Sequence, residues 1–271
     1  MSETTEQWVT AIGRVDEDDV LIRGYQLSDL VGGVTFVDAC FIVLTGELPP
    51  SGGRDVLDAI FVSVIDHGIS PSSMIVRMLA SCGTPIQAAL AGAVTSIADW
   101  HGGAGEELAH RLHDIVAGSR GGTPKEERES LRAAAADLVV EYTAAKRRFE
   151  GFGHPQHTGG DPRANFLVDL ARSKGVAGPH TEALGILSDE IERLTGRHLI
   201  ANVNGAIAAL ILDLGFPWQA VRGFIVAPRT IGLTAHFVEE REQGGKWRHA
   251  DDQAVIYTGT ERRPLPEAWG S

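Results

Sequence analysis

A loop that combines a histidine with an arginine is the most chemically suggestive part of this chain. His154 precedes Arg163 within the segment 151–163, which is rich in glycine and also contains two prolines. Glycine permits tight turns and proline restricts the backbone, so an imidazole that moves protons and a guanidinium that binds anions can share one pocket. The segment therefore predicts a site for a carboxylated substrate.

Two other segments carry polar side chains next to glycines. His101 is followed by the run 102–105, which contains three glycines, and Asn202 and Asn204 lie just before Gly205. An amphipathic helix is predicted directly after the first run. We therefore expect His101 to lie at the start of a helix.

Size and charge narrow the class of protein. The chain has 271 residues, 43% of them hydrophobic, which is enough for one large domain or two small ones. Its net charge is -12 and its basic residues are dispersed, so nucleic acid is not an expected partner. No apolar run reaches the roughly 18 residues of a membrane span, and the acidic N-terminus is unlike a signal peptide. We expect a cytoplasmic protein that does not bind membranes.

The hydrophobic pattern predicts an all-α fold. Apolar residues recur at helical spacing in long stretches, and only 19–23 is expected to form a short strand. The helices are predicted at 85–98, 106–117, 125–150, 162–174, 181–194, 205–214, 217–226 and 230–242. The first of these is apolar on nearly every side, which predicts a buried helix. Residues 247–271 are expected to form an extended tail.

Metal and nucleotide sites are not expected. His154, His157 and Asp161 suggest a metal site, but Pro155 disfavours a regular helix there and no further ligand set with fixed spacing is present. The glycines of 102–105 match neither of the common nucleotide-binding loops. We predict no metal.

Short motifs along the whole chain follow one family pattern. They are Arg23-Gly24-Tyr25, Leu44-Thr45-Gly46-Glu47-Leu48-Pro49, Asp66-His67-Gly68 with Ser72-Ser73, His101-Gly102-Gly103-Ala104, Gly153-His154 with Asp161-Pro162-Arg163, Arg229-Thr230-Ile231-Gly232 with Ala235-His236, and Tyr257-Thr258-Gly259. Together they resemble the citrate synthase superfamily. Trp247-Arg248-His249 with Asp251-Asp252 is similar to the end of the citryl-CoA lyase module of ATP-citrate lyase, so the resemblance is closest to the short citryl-CoA lyase branch.

The resemblance implies a fold, an assembly and an activity. The expected protein is an α-helical homodimer in which a large and a small domain close over the substrates. By analogy, residues 1–104 and 223–271 form the large domain and residues 105–222 form the small one. The implied reaction joins acetyl-CoA to oxaloacetate or cleaves citryl-CoA in the reverse sense. The expected ligands are coenzyme A, as an acyl-CoA substrate, and oxaloacetate or a citrate-like acid.

The resemblance also implies roles for individual residues. His101 donates a hydrogen bond to the thioester oxygen, and His154 polarises the ketone oxygen or removes the hydroxyl proton in cleavage. The residues that would hold the substrate carboxylates are His67, Arg163, Arg229 and Arg248. Arg248 is a candidate to reach into the other subunit. The residues on the coenzyme A side would be Phe152, Gly153 and Asn202.

Asn204 departs from the family pattern, which has an aspartate here to exchange the α-proton. A carboxamide can orient a thioester or a water but cannot act as a carboxylate base, and loss of a general base commonly costs about 10²- to 10⁴-fold in rate. Three alternatives stay open. One is a substitute base, with Asp99, Glu106 and Asp161 as candidates. The others are altered acyl-CoA chemistry, such as a thioesterase reaction, and binding of an acyl-CoA or dicarboxylate without turnover.

Overall fold

A computed structural model describes residues 8–153 and 161–265. Within these residues the fold is helical, as the sequence predicts, with a three-stranded antiparallel sheet followed by eleven helices. The strands are β1 Gly13–Val15, β2 Val20–Ile22 and β3 Tyr25–Gln26. The helices are α1 Leu27–Leu30, α2 Phe36–Thr45, α3 Gly53–Val64, α4 Pro71–Ser81, α5 Ile86–Val94, α6 Ala104–Ser119, α7 Pro124–Ala144, α8 Pro162–Ser173, α9 Pro179–Thr195, α10 Val203–Asp213 and α11 Val221–Glu242. None of the described helices combines the length and apolar character that a membrane span requires.

Local capping explains where several helices begin. Thr123 caps α7 by accepting a hydrogen bond from the backbone N–H of Glu126, and Pro124 is the first helical residue. Asp161 caps α8 in the same way, ahead of Pro162. Proline is favoured at this position because its fixed φ suits the helix and its missing N–H has no helical partner to lose. The predicted starts of both helices are confirmed.

The cap of α9 comes from another helix. Its own N-cap residue is Gly178, which has no side chain to offer. The buried carboxylate of Asp213, at the end of α10, instead accepts hydrogen bonds from the backbone N–H groups of Gly178, His180 and Thr181 at 2.8, 3.0 and 3.0 Å. The hydroxyl of Thr181 and the ring of His180 also contact it. Asp213 thus joins the start of α9 to the end of α10.

The apolar core forms two clusters. The larger is centred on α10, whose Ile207, Leu210 and Ile211 are fully buried against α6, α8 and α9. The smaller cluster lies where α4, α5 and α11 meet. Its buried residues are Val76, Ala80, Ala89, Ala93, Leu233 and Phe237.

Residues 221–242 form one continuous helix, so the predicted break between 226 and 230 is wrong. Pro228 lies inside it, and an interior proline costs about 3 kcal/mol because it removes a backbone hydrogen bond and crowds the preceding turn. The packing of α11 against α3, α4 and α5 outweighs this cost. Arg229 and the residues that follow it therefore belong to a single helix.

The prediction that 85–98 forms a buried helix is also wrong for the single chain. In α5 only Ala89 and Ala93 are buried, because α4 and α11 cover one side of the helix. Ile86 of α5 is 37% exposed, and Met74 and Met78 of the neighbouring α4 are 59% and 43% exposed. An apolar surface of the chain therefore lies on α4 and α5.

Candidate active site

One face of α11 holds the loop that follows α3. The Nε atom of Arg229 donates a hydrogen bond to the carbonyl oxygen of Val64 at 2.8 Å. One turn along the helix, a β-carbon at Gly232 would overlap the carbonyl oxygen of Ile65. The loop therefore approaches α11 at a distance that only glycine permits.

The same loop presents His67, which is exposed and lies between α3 and α4 rather than within a helix. The carboxylate of Asp66 accepts a hydrogen bond from the backbone N–H of Gly68 at 2.7 Å, and Gly68 has a left-handed φ of 63°. Nε2 of His236, on α11, lies 3.1 Å from the other oxygen of Asp66. The turn that carries His67 is thus fixed through both oxygens of the preceding residue.

His101 lies three residues before the first residue of α6, close to the helix start that the sequence predicts. Its Nε2 atom is 3.0 Å from the hydroxyl of Ser72, which is fully buried in the first turn of α4. Gly102 has a left-handed φ of 81°, and a β-carbon at Gly103 would lie 2.7 Å from the carbonyl oxygen of Ala98. The two glycines therefore allow the sharp turn between the histidine and the helix.

Electrostatic interactions identify the neighbours of His101. Burial lowers the pKa of its imidazole below the ordinary value, and the positive charges of Arg229 and His67 lower it further. Burial also lowers the pKa of Arg229, where Asp66 acts in the opposite direction and Arg163 adds to the lowering. The structure thus brings together four of the predicted site residues from widely separated parts of the chain.

Arg163 is held in a fixed orientation by Asp161. Its Nε and Nη2 atoms donate to the two carboxylate oxygens at 3.0 and 2.9 Å, a bidentate pair. The buried Asp161 also accepts from the backbone N–H of Val203 at 3.0 Å. Burial raises the pKa of Asp161, but the hydrogen bonds from Arg163 and Val203 outweigh it and lower the pKa below its ordinary value. Asp161 is consequently a poor candidate for the substitute base.

The other two candidates for a substitute base share a single arginine. Nη2 of Arg222 lies 2.8 Å from Asp99, and Nε of Arg222 lies 2.6 Å from Glu106. Asp99 is 81% exposed, whereas Glu106 belongs to the first turn of α6. Both carboxylates are thus paired with an arginine of α11.

Asn204 is half-buried and is the second residue of α10. A β-carbon at Gly105 would lie 3.2 Å from its backbone carbonyl oxygen. The small residue in α6 therefore lets the starts of α6 and α10 lie side by side. This brings Asn204 next to the helix that His101 precedes.

The three residues predicted for the coenzyme A side lie together. Phe152 forms an isolated antiparallel bridge with Ala201, and the backbone N–H of Gly153 donates to Ile200 at 2.9 Å. The side chain of Asn202 donates from Nδ2 to the carbonyl oxygen of Gly153 at 2.9 Å, while its oxygen caps α10. The carboxamide of Asn202 therefore joins this segment to the start of α10.

Arg248 lies apart from the other predicted carboxylate ligands within one chain. Its Nε atom is 2.5 Å from the buried carboxylate of Glu240, and its backbone N–H donates to Ser81 at 3.0 Å. Glu240 and Arg229 are both on α11, separated by about 16 Å along the axis at about 1.5 Å per residue. A role for Arg248 in a neighbouring subunit stays a prediction.

One predicted residue and three unpredicted ones complete the account of the site. His154, the predicted acid/base residue, lies outside the described residues, as does His157. Ser72 contacts His101, Asp66 contacts His67, and His236 contacts Asp66, but none of the three had a role assigned from the sequence. The available signal was their occurrence in the same short motifs as His67 and Arg229. Among the described residues, no group of three or more metal-ligating side chains is found.

Comparison with known proteins identifies the family. Residues 50–250 match the citrate synthase C-terminal domain family. The chain belongs to the citrate synthase family. Glyoxysomal citrate synthase of Cucurbita maxima is 30% identical over 193 residues, which are 68% of this chain and 34% of that protein. Citrate synthase of Heyndrickxia coagulans is 26% identical over 223 residues, which are 80% of this chain and 54% of that protein. The chain thus spans about half or less of the length of these curated relatives.

A solved structure matches nearly the whole of this citrate synthase family member. The citryl-CoA lyase from Hydrogenobacter thermophilus is 34% identical, with a TM-score of 0.87 over 97% of this chain and 99% of that one. The resemblance to the citryl-CoA lyase branch, drawn from the motifs, is confirmed.

Proposed function

We propose that this citrate synthase family protein cleaves citryl-CoA into acetyl-CoA and oxaloacetate, or runs the reverse condensation. The observation that carries the proposal is the cluster formed by His67, His101, Arg163 and Arg229. These residues come from four separate segments, and their charges interact. The similarity to citryl-CoA lyase over nearly the full length of both chains supports cleavage as the favoured direction.

The arginines supply binding energy for a polyanionic substrate. Arg229 is buried, and the hydrogen bond to Val64 occupies only its Nε atom. Among the described residues no carboxylate forms an ion pair with it; the charge of Asp66 compensates it only in part, and Arg163 adds positive charge nearby. A buried charge without a partner is costly, and a substrate carboxylate would remove this cost while accepting two hydrogen bonds from the guanidinium.

His101 is suited to stabilise an enolate. The Ser72 hydroxyl can donate to Nε2, which leaves the imidazole proton on Nδ1. The lowered pKa keeps the ring neutral near pH 7, and the positive end of α6 favours the same state. The Nδ1–H group is then free to donate to the thioester oxygen, where negative charge develops as the carbon–carbon bond breaks.

The proton balance of cleavage needs no cofactor. In our proposal His154 takes the proton of the citryl hydroxyl, the carbon–carbon bond breaks, and its electrons form the enolate of acetyl-CoA. The new carbonyl belongs to oxaloacetate. The enolate carbon then takes a proton from a water that Asn204 orients, and the hydroxide that remains takes the proton held by His154. Because a carboxamide is a poor proton donor, we expect slow turnover.

Coenzyme A and a second subunit complete the proposal. We assign the coenzyme A side to the segment of Phe152, Gly153 and Asn202. We also propose a homodimer that covers the exposed apolar surface of α4 and α5 and brings Arg248 to a neighbouring site. The division into a large domain, 1–104 with 223–271, and a small domain, 105–222, is part of the same proposal.

The test is an assay of the purified protein in both directions. Oxaloacetate release from citryl-CoA is measured for the wild-type protein and for Arg229→Lys, with Arg172→Lys as a matched control. Arg172 is an exposed arginine on α8 that pairs with Asp169. We expect Arg229→Lys to lower kcat/KM by about tenfold or more, because lysine cannot form the bidentate contact, and Arg172→Lys to have no effect. A folded wild-type protein without turnover in either direction would refute the proposal.

Binding without turnover is the second candidate, and two observations favour it. Asn204 replaces the family aspartate, and the three candidate substitute bases are all held by arginines. In this case oxaloacetate and coenzyme A bind, as calorimetry would measure, but neither is converted. Asn204→Asp would then create activity in an inactive protein. Release of coenzyme A from acetyl-CoA without an oxo acid would instead identify a thioesterase.

A further inference from the structure

His236 lies on α11 behind the loop that presents His67, and its side chain is only 14% exposed. Both ring nitrogens have a polar neighbour. Nδ1 is 3.2 Å from Nη1 of Arg77, and Nε2 is 3.1 Å from Oδ1 of Asp66. The ring therefore bridges α4 and the turn at Asp66.

The chemistry of these two neighbours fixes the tautomer of the ring. A guanidinium only donates hydrogen bonds, so Nδ1 of His236 must accept and carries no proton. A carboxylate only accepts, so Nε2 must carry the proton and donate it to Asp66. The arrangement thus requires the neutral imidazole with its proton on Nε2.

Arg77 is itself held in place, so it fixes the position of the His236 ring. It is buried on α4, and its guanidinium contacts Glu239, Glu240 at 2.9 Å and Gln243 at 2.8 Å. Glu239 and Glu240 belong to α11, the helix that carries His236, and Gln243 is the residue that ends it. One oxygen of Asp66 is therefore held, through His236, by contacts between α4 and α11.

We propose that His236 is a positioning residue for the active site. It acts through Asp66, whose backbone leads directly into His67, and so sets where the carboxylate-binding imidazole lies relative to His101 and Arg229. The inference rests on the proposed function for its kinetic consequence. Its structural content, the tautomer and the coupling to His67, does not depend on that function.

The geometry singles out glutamine as the conservative replacement. A carboxamide offers one acceptor and one donor, as the neutral ring does, and can therefore face Arg77 with its oxygen and Asp66 with its nitrogen. Leucine fills a similar volume with neither group. We expect His236→Leu to lower kcat/KM for citryl-CoA by about tenfold or more, mainly through a higher KM, because misplaced binding groups are costly. His236→Gln should restore kcat/KM to within about threefold of wild type.

A double-mutant cycle tests whether the effect passes through Asp66. In an Asp66→Ala background, His236→Leu should change kcat/KM by less than about twofold, because the coupled partner is already lost. All assays are run well below the thermal unfolding midpoint of each variant, so that a loss of stability alone leaves the kinetics unchanged. The proposal is overturned if His236→Leu retains wild-type kinetics, if His236→Gln is equally impaired, or if the two effects are additive.

Nuclear magnetic resonance of protein labelled with 15N-histidine gives a readout that needs no activity. The unliganded wild-type protein should show His236 as the neutral Nε2–H tautomer. His236→Leu should shift the ring resonances of His67, and His236→Gln should leave them near their wild-type positions. An Nδ1–H tautomer or an unshifted His67 overturns the inference, whereas absence of turnover with these signals intact refutes only the proposed function.

Discussion

Gly232→Ala should separate activity from stability, because the added methyl group has two opposing effects. A β-carbon at this position overlaps the carbonyl oxygen of Ile65, and backbone atoms cannot rotate away as a side chain can. The overlap costs about 1–3 kcal/mol, as overpacking does. Alanine is favoured over glycine within a helix by about 1 kcal/mol, which offsets part of the cost. We expect a net destabilisation of about 0–2 kcal/mol.

The effect on catalysis should be larger than the effect on stability. Relief of the overlap moves the loop that carries His67 away from α11, and a displacement of about 1 Å in a binding group can cost about 10²-fold in rate. The matched control is Gly223→Ala in the same helix, where a β-carbon meets no atom within 4 Å. Citryl-CoA cleavage and urea unfolding are measured for both variants. Wild-type kcat/KM in Gly232→Ala would refute the reasoning.

Other predictions concern the Asp213 cap of α9, the titration of His101 and the hydroxyl of Ser72. Asp213→Ala leaves three donors of α9 without their acceptor, and at about 1–3 kcal/mol each it should destabilise the protein by at least about 3 kcal/mol in urea unfolding. Burial raises the pKa of Asp213 but hydrogen bonds from His180 and Thr181 lower it below the ordinary value. The contribution of ionised Asp213 to the free energy of unfolding should therefore be complete above the ordinary carboxyl pKa and should be lost as the pH falls toward the lowered pKa. The Asp213→Ala variant should lack this part of the pH dependence. In a nuclear magnetic resonance titration, the ring of His101 should protonate below the ordinary histidine value of about 6.5, and a midpoint above it would contradict the arrangement. Ser72→Ala should lower kcat by about tenfold with little change in KM, because the hydroxyl orients His101.

The helical fold could be predicted from the sequence because its signals are local. Thr123 with Pro124, and Asp161 with Pro162, fix the starts of α7 and α8 through contacts within one turn. The break predicted near Pro228 failed because the packing of α11 against three other helices outweighs the local cost of a proline. Exposure of α5 also depends on tertiary contacts, since its composition alone resembles that of a core helix.

The site was predicted only in part, because short motifs identify residues but not the tertiary contacts between them. Short motifs pointed to His67, His101, Arg163 and Arg229, which the fold brings together. They gave no role to His236, whose function depends on contacts with residues from two other elements. The ion pair between Arg248 and Glu240 likewise could not be inferred, because it joins the tail to a buried helix face. The two-domain division and the role of His154 stay predictions.

A crystal structure with oxaloacetate and coenzyme A bound tests the central claim most directly. We expect the oxaloacetate carboxylates to contact Arg163, Arg229 and His67, and Nδ1 of His101 to face the thiol end of coenzyme A next to Asn204. Binding of oxaloacetate at a different surface, with the guanidinium groups of Arg163 and Arg229 left without a ligand, would contradict the account.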